Sequence, residues 1–210
     1  PFGPGGQGGV GPTQQETKLV KQFDKDGDKV LNSAERKAAR AFLDTQGQSS
    51  GRGGRGGRLG GFPGRGGATA GPIEKGRALA PKDVTLFPDA PLFDPSTFRT
   101  FSLTFDDADW EDQMMAFKNT DVDVPATLEV DGRTFKDVGA HFHGMSSFMM
   151  VPAGQKHSLN LKLDFVHPEQ QIGGQRSLIL LNSAGDSTLL RAPLYLEAAL
   201  RWGETAAMAQ

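Results

Sequence analysis

The stretch Ala126-Thr127-Leu128-Glu129-Val130-Asp131-Gly132-Arg133-Thr134-Phe135-Lys136-Asp137-Val138-Gly139-Ala140-His141-Phe142 decides the fold. Residues 126–130 and 133–142 read as strands. Asp131-Gly132 between them suits a two-residue turn that needs positive φ, so the stretch predicts a β-hairpin. Upstream, residues 99–105 set Phe101, Leu103 and Phe105 against Thr100, Ser102 and Thr104, the alternation of a half-buried strand. Asp107 or Asp109 then caps a helix carrying Trp110, Met114 and Phe117, while residues 81–92 are punctuated by proline and extended. Downstream, residues 157–165 alternate again, with Leu159, Leu161, Leu163 and Phe165 on one side. Ser158, Asn160, Lys162 and Asp164 take the other, and Lys156 shares their parity. Residues 176–181 form a short apolar strand and 188–200 a helix. Strands first and a helix after predict an α+β fold, an antiparallel sheet plus helix.

Composition narrows the function. In 210 residues, 23 Lys+Arg stand against 25 Asp+Glu for a net charge of −2, which excludes a globally basic nucleic-acid binder. With no cysteine, disulfide frameworks, Cys-ligated zinc, iron–sulfur clusters and Cys nucleophiles are excluded. No apolar run approaches the ~20 residues needed to span a bilayer. The chain opens on Pro1 rather than Met, as expected of a processed product or a fragment whose signal peptide is gone. Eighteen of the 28 glycines fall in residues 1–12 and 47–71. Such tracts bury too little apolar surface to offset their ordering entropy and are expected to be disordered. The expected organisation is therefore a Gly-rich lead at 1–12, a helical module at 13–45, a linker at 46–76 and a larger domain at 77–210. The linker carries Arg52, Arg55, Arg58 and Arg65 among its glycines. Arg-Gly tracts can grip single-stranded RNA, but with Phe62 as the one aromatic this tract reads as a flexible spacer.

The module at 13–45 holds Asp24-Lys25-Asp26-Gly27-Asp28-Lys29-Val30-Leu31-Asn32-Ser33-Ala34-Glu35. Oxygen-bearing side chains stand at loop positions 1, 3, 5, 9 and 12, the twelve-residue spacing of the EF-hand family. A hard cation takes about six to eight oxygens, so the loop must curl its donors around one point. Asp24, Asp26 and Asp28 would give one oxygen each, Val30 its carbonyl, Asn32 a direct or water-mediated contact, and Glu35 two oxygens to Ca²⁺. Leu19, Val20 and Phe23 make the apolar stripe of an entering helix. Ser33 is expected to cap the exit helix, which carries Ala38, Ala39, Phe42 and Leu43. Position 6, where the turn needs positive φ and Gly is usual, is Lys29, which should weaken the site. No second loop exists for Leu31, at position 8, to pair with.

The larger domain contains the runs Asp137-Val138-Gly139-Ala140-His141-Phe142-His143-Gly144-Met145-Ser146-Ser147-Phe148 and Gln155-Lys156-His157-Ser158-Leu159-Asn160-Leu161-Lys162-Leu163-Asp164-Phe165. Ser177-Leu178-Ile179-Leu180-Leu181-Asn182-Ser183 and Asp186-Ser187-Thr188-Leu189-Leu190-Arg191 follow. In their order and spacing these runs resemble the spore coat protein H (CotH) kinase family. The resemblance implies the N-terminal part of an atypical kinase-like domain that handles ATP with Mg²⁺. Lys156 is then the candidate phosphate-binding lysine and Lys162 the second choice, with Glu197 to orient it. The family commonly has Arg at His143, and its metal-binding and catalytic acids lie beyond Gln210. The resemblance thus implies a truncated lobe with no catalytic residue in this chain. A strand-borne metal site at His141 and His143, with His157 as a third ligand, is the lesser reading, because His141 already fits the kinase-family position.

The expectation is a calcium-binding EF-hand protein with a catalytically incomplete CotH-like lobe. It is secreted, periplasmic or at the cell surface by resemblance. The alternatives are an active secreted CotH-type kinase, if the gene continues, and a non-catalytic surface or matrix module. Calcium and a protein or surface partner are the expected ligands, and a lobe cut from its remainder should self-associate.

Overall fold

The structure, a computed structural model, describes residues 16–49, 79–145, 148, 151, 155–183 and 185–201. The Gly-rich lead at 1–12 and the Arg-Gly tract of the linker lie outside the described residues. In chain order the elements are α1 (Val20–Phe23), α2 (Ser33–Ser49), a single 3₁₀ turn (Pro81–Asp83), β1 (Ser102–Thr104), α3 (Trp110–Ala116), β2 (Val124–Val130), β3 (Arg133–Phe142), β4 (Leu159–Lys162), β5 (Ser177–Leu180) and α4 (Arg191–Arg201). The strands form one antiparallel meander in the order β1-β2-β3-β4-β5, so the fold is mixed α+β.

The hairpin forms where the sequence places it. Val130 pairs with Arg133 across Asp131 and Gly132, whose φ angles of +51° and +76° match a turn that follows the strand twist. Along β2, Val124, Ala126, Leu128 and Val130 face inward and the residues between are half-buried. β3 departs from simple alternation. Ala126 pairs with Val138 and Leu128 with Phe135, so Lys136 and Asp137 together oppose Thr127. This is a β-bulge with Asp137 at φ +53°, and it lets Phe135 and Val138 both reach the core although they stand an odd three positions apart.

Three sequence readings shift. The exit helix is capped by Asn32 instead of Ser33. Asn32 Oδ1 accepts from the Glu35 amide (3.1 Å) and the Glu35 carboxylate accepts from the Asn32 amide (3.0 Å), a reciprocal capping box. The same helix runs on to Ser49, into the expected linker. The last helix begins at Arg191, because Leu189 sits at φ +59° and the Asp186 carboxylate takes the Arg191 amide at 2.8 Å.

The helix–loop–helix shares a core with the sheet. Leu19, Leu31 and Ala39 are buried in one cluster with Met114, Phe117, Val124, Leu128, Val138, Leu161 and Leu163. Full burial of Leu19 and Leu31 contributes about 1.5–3 kcal/mol each before entropy is counted. Phe23 and Phe42 close the helix pair with ring centroids 5.4 Å apart.

Candidate metal centre and the residues around it

Within the loop between α1 and α2, the carboxylates of Asp24, Asp26 and Asp28 each place an oxygen within 4.8 Å of the others. This group can hold a metal ion. Its shape comes from backbone amides. Asp24 accepts from the Gly27 amide (2.7 Å) and the Lys29 amide (2.9 Å), while Asp28 accepts from Val30 (2.8 Å). Desolvation opposes the charge on Asp24, but the Lys29 and Gly27 amides outweigh it and hold the carboxyl below its ordinary range. Gly27 and Lys29 stand at φ +79° and +71°, so the left-handed backbone expected at position 6 is present despite the lysine side chain. Asn32 reaches into the loop, its side-chain amide donating to Asp26 at 3.3 Å. Glu35 is buried at the foot of the loop, where its carboxylate also accepts from the Lys25 amide at 2.7 Å.

The next residue, Arg36, ties the loop to α3 and the turn before it. Only 6 % exposed, it donates to the Leu31 carbonyl (2.6 Å), the Gln113 side chain on α3 (2.8 Å) and Asp107 (2.6 Å). Gln113 and Arg36 together hold the Asp107 carboxyl below its usual range. On the other side, Asp121 accepts from the Leu19 and Val20 amides at 2.7 and 3.2 Å, and Thr17 donates to the Asn119 carbonyl at 2.9 Å. Leu31 is buried in the core it shares with the sheet.

The lysines singled out in the sequence have separate settings. Lys162, on β4, bonds Asp123 at 2.6 Å. Asp123 is buried and also lies 3.4 Å from His141, and desolvation of its carboxylate is outweighed by His141 and Lys162, which hold it low. The sequence reading passed over Asp123, although an acid between two apolar residues at a strand entry (Val122-Asp123-Val124) was a usable signal. Lys156 is exposed before β4, at a cleft of about 420 Å³ walled by Phe105, Trp110, Phe142 and His157. Phe105 and Trp110 stack at 4.3 Å and 7°. His157 packs 4.8 Å from the rings of both Phe142 and Phe148, neither of its nitrogens meets a partner among the described residues, and burial pushes its pKa down. Glu197 lies exposed on α4. Both His141 nitrogens face backbone carbonyl oxygens, those of Val122 and Lys118, so His141 offers no open nitrogen to the lesser metal reading.

Among the described residues no helix is long and apolar enough to cross a membrane. No family model, curated protein or solved structure matches the chain.

Proposed function

We propose that this protein binds Ca²⁺ at the loop Asp24–Glu35 and uses it to stiffen a helix–loop–helix seated on the α+β domain. The observation that carries this reading is the convergence of the Asp24, Asp26 and Asp28 oxygens within 4.8 Å, at loop spacing that also puts Asn32 and Glu35 at positions 9 and 12. Three carboxylates and a hard-oxygen donor set favour Ca²⁺ over softer metals. Glu35 would exchange its amide contacts for the ion, and Val30 would add a carbonyl. The test is calorimetric titration of the full chain with Ca²⁺, beside Asp24→Ala and Glu35→Gln. Saturable one-to-one binding that both substitutions abolish is expected. Unchanged heats in either variant, or none up to millimolar Ca²⁺, would sink it.

A second reading, part of an ATP-handling CotH-like lobe, draws support from the cleft. Lys156 stands at its rim as a phosphate-sized charge, and the stacked Phe105–Trp110 pair offers an aromatic wall. Lys162 is the weaker candidate, since Asp123 already neutralises it. Mg²⁺–ATP should shift the Trp110 resonances in the full chain and fail to do so in Lys156→Ala. Identical spectra with and without nucleotide would dismiss this reading.

A further inference from the structure

His141, next to the last residue of the central strand β3, has an unusual set of neighbours. Its Nδ1 lies 3.1 Å from the Val122 carbonyl and 3.4 Å from the Asp123 carboxylate, and its Nε2 lies 3.0 Å from the Lys118 carbonyl. All three partners are acceptors. A carbonyl has no proton to give, and Asp123 is held ionised by Lys162 at 2.6 Å. A neutral imidazole owns one N–H and one lone pair, so either tautomer would leave a ring nitrogen pointing its lone pair at an oxygen. Only the doubly protonated ring satisfies both sides.

The segment that these bonds hold is also the seat of the N-terminal helices. Residues 118–123 include Asn119, whose carbonyl takes the Thr17 amide, and Asp121, whose carboxylate takes the amides of Leu19 and Val20. We propose that His141 is an imidazolium at neutral pH, that its two N–H groups clamp residues 118–123 onto β3, and that its deprotonation on the alkaline side loosens the seat of the helix–loop–helix. The inference does not depend on the calcium reading.

The surrounding charges agree. From residues 118–123 come Lys118, whose ammonium lies over the Phe148 ring at 5.3 Å, Asp121, already bonded to the α1 amides, and Asp123. From β4 comes Lys162, spent on the far oxygen of Asp123, with Asn160 opposite His141 in the register. β2 carries only Glu129, at the hairpin end, and α3 carries Glu111 and Asp112 in its first turn, at the end away from Lys118. Burial alone would lower the pKa of His141. The Asp123 contact and the Lys118 and Val122 carbonyls overcome that and raise it. With the folded value raised, the clamp is fully present below the ordinary histidine value of about 6.5 and is lost as pH rises through the folded value. Between the two values the seating equilibrium falls by at most about tenfold per pH unit.

The experiment is a pH titration of the full chain by imidazole ¹⁵N NMR, with His141 assigned by loss of its signals in His141→Gln. Both ring nitrogens should be protonated at pH 7, with the midpoint on the alkaline side of neutrality. Asp123→Asn should lower that midpoint. Amide exchange at Leu19, Val20 and Asp121, corrected for base catalysis, should accelerate through the midpoint in the wild-type chain. A single-tautomer neutral ring at pH 7, or exchange at those amides that ignores the midpoint, would overturn the proposal.

Discussion

Lys29 and Arg99 show how much one side chain can be asked to do. Lys29 occupies a left-handed position in the loop between α1 and α2 at φ +71°, where a Cβ is strained by about 1–2 kcal/mol. Lys29→Gly should relieve that strain at the cost of extra freedom in the unfolded chain. A net gain of about 0.5–1 kcal/mol in urea unfolding is expected, with tighter Ca²⁺ binding in calorimetry. Arg99 gathers the lead-in to the sheet. Its buried guanidinium donates to Asp131 in the hairpin turn and to the carbonyls of Leu92 (2.6 Å), Ala90 (3.0 Å) and Pro91 (3.1 Å). Asp131 in turn accepts from the Phe87 amide at 3.0 Å. A lysine keeps the charge but cannot fork, so Arg99→Lys should cost about 2–3 kcal/mol, measured as a lower urea midpoint at unchanged slope.

Among the elements, the two long helices begin on carboxylates that do more than one job. Glu35 closes the capping box of α2 and supplies the last ligand position of the proposed calcium loop. The two roles separate by substitution. Asn32→Ala should destabilise the apo chain by about 1 kcal/mol and keep a Ca²⁺-dependent gain in stability, whereas Glu35→Gln, whose NH₂ would face the Lys25 or the Asn32 amide, should also destabilise the apo chain and lose the Ca²⁺ response. Urea unfolding with and without Ca²⁺ distinguishes them. At α4, Asp186 accepts from the Thr188 hydroxyl (2.6 Å) and from the Thr188 and Arg191 amides, and these bonds hold its carboxyl below the ordinary range. Because the folded value is depressed, this anchorage is complete above the ordinary Asp value near 3.8 and is lost as pH falls through the depressed one. Exchange at the Arg191 amide should therefore rise in acid, and Asp186→Asn should flatten that dependence. An acid response unchanged in the variant would contradict the assignment.

For the molecule as a whole, the consequence is cooperativity. Leu19 and Leu31 share a core with Leu128 and Leu161, and Arg36 bridges α2 to α3 and Asp107, so the helix–loop–helix and the sheet should unfold together. A ligand on the loop then stabilises both. At about one hundred times its Kd, Ca²⁺ should add about 2.7 kcal/mol to a single transition, read by amide exchange in β2 and β3 as well as in α2. Protection gained in α2 alone would mean that the two parts are uncoupled. Glu35→Gln should abolish the shift throughout.

The local order of this protein is legible in its sequence. The hairpin around Asp131-Gly132, the alternating strands on either side and the clustering of the Asp24, Asp26 and Asp28 carboxylates all rest on turn chemistry and periods of a few residues. Even the β3 bulge had a trace, in the change of parity between Phe135 and Val138. The tertiary structure alone decided where Leu31 is buried, which acid meets Lys162, and why His141 is surrounded by acceptors. Those contacts join residues far apart in the chain, 77 positions for Arg36 and Gln113 and 102 for Leu19 and Asp121. No periodicity encodes them, because each follows from burying a shared apolar core and then satisfying the polar groups that burial has trapped.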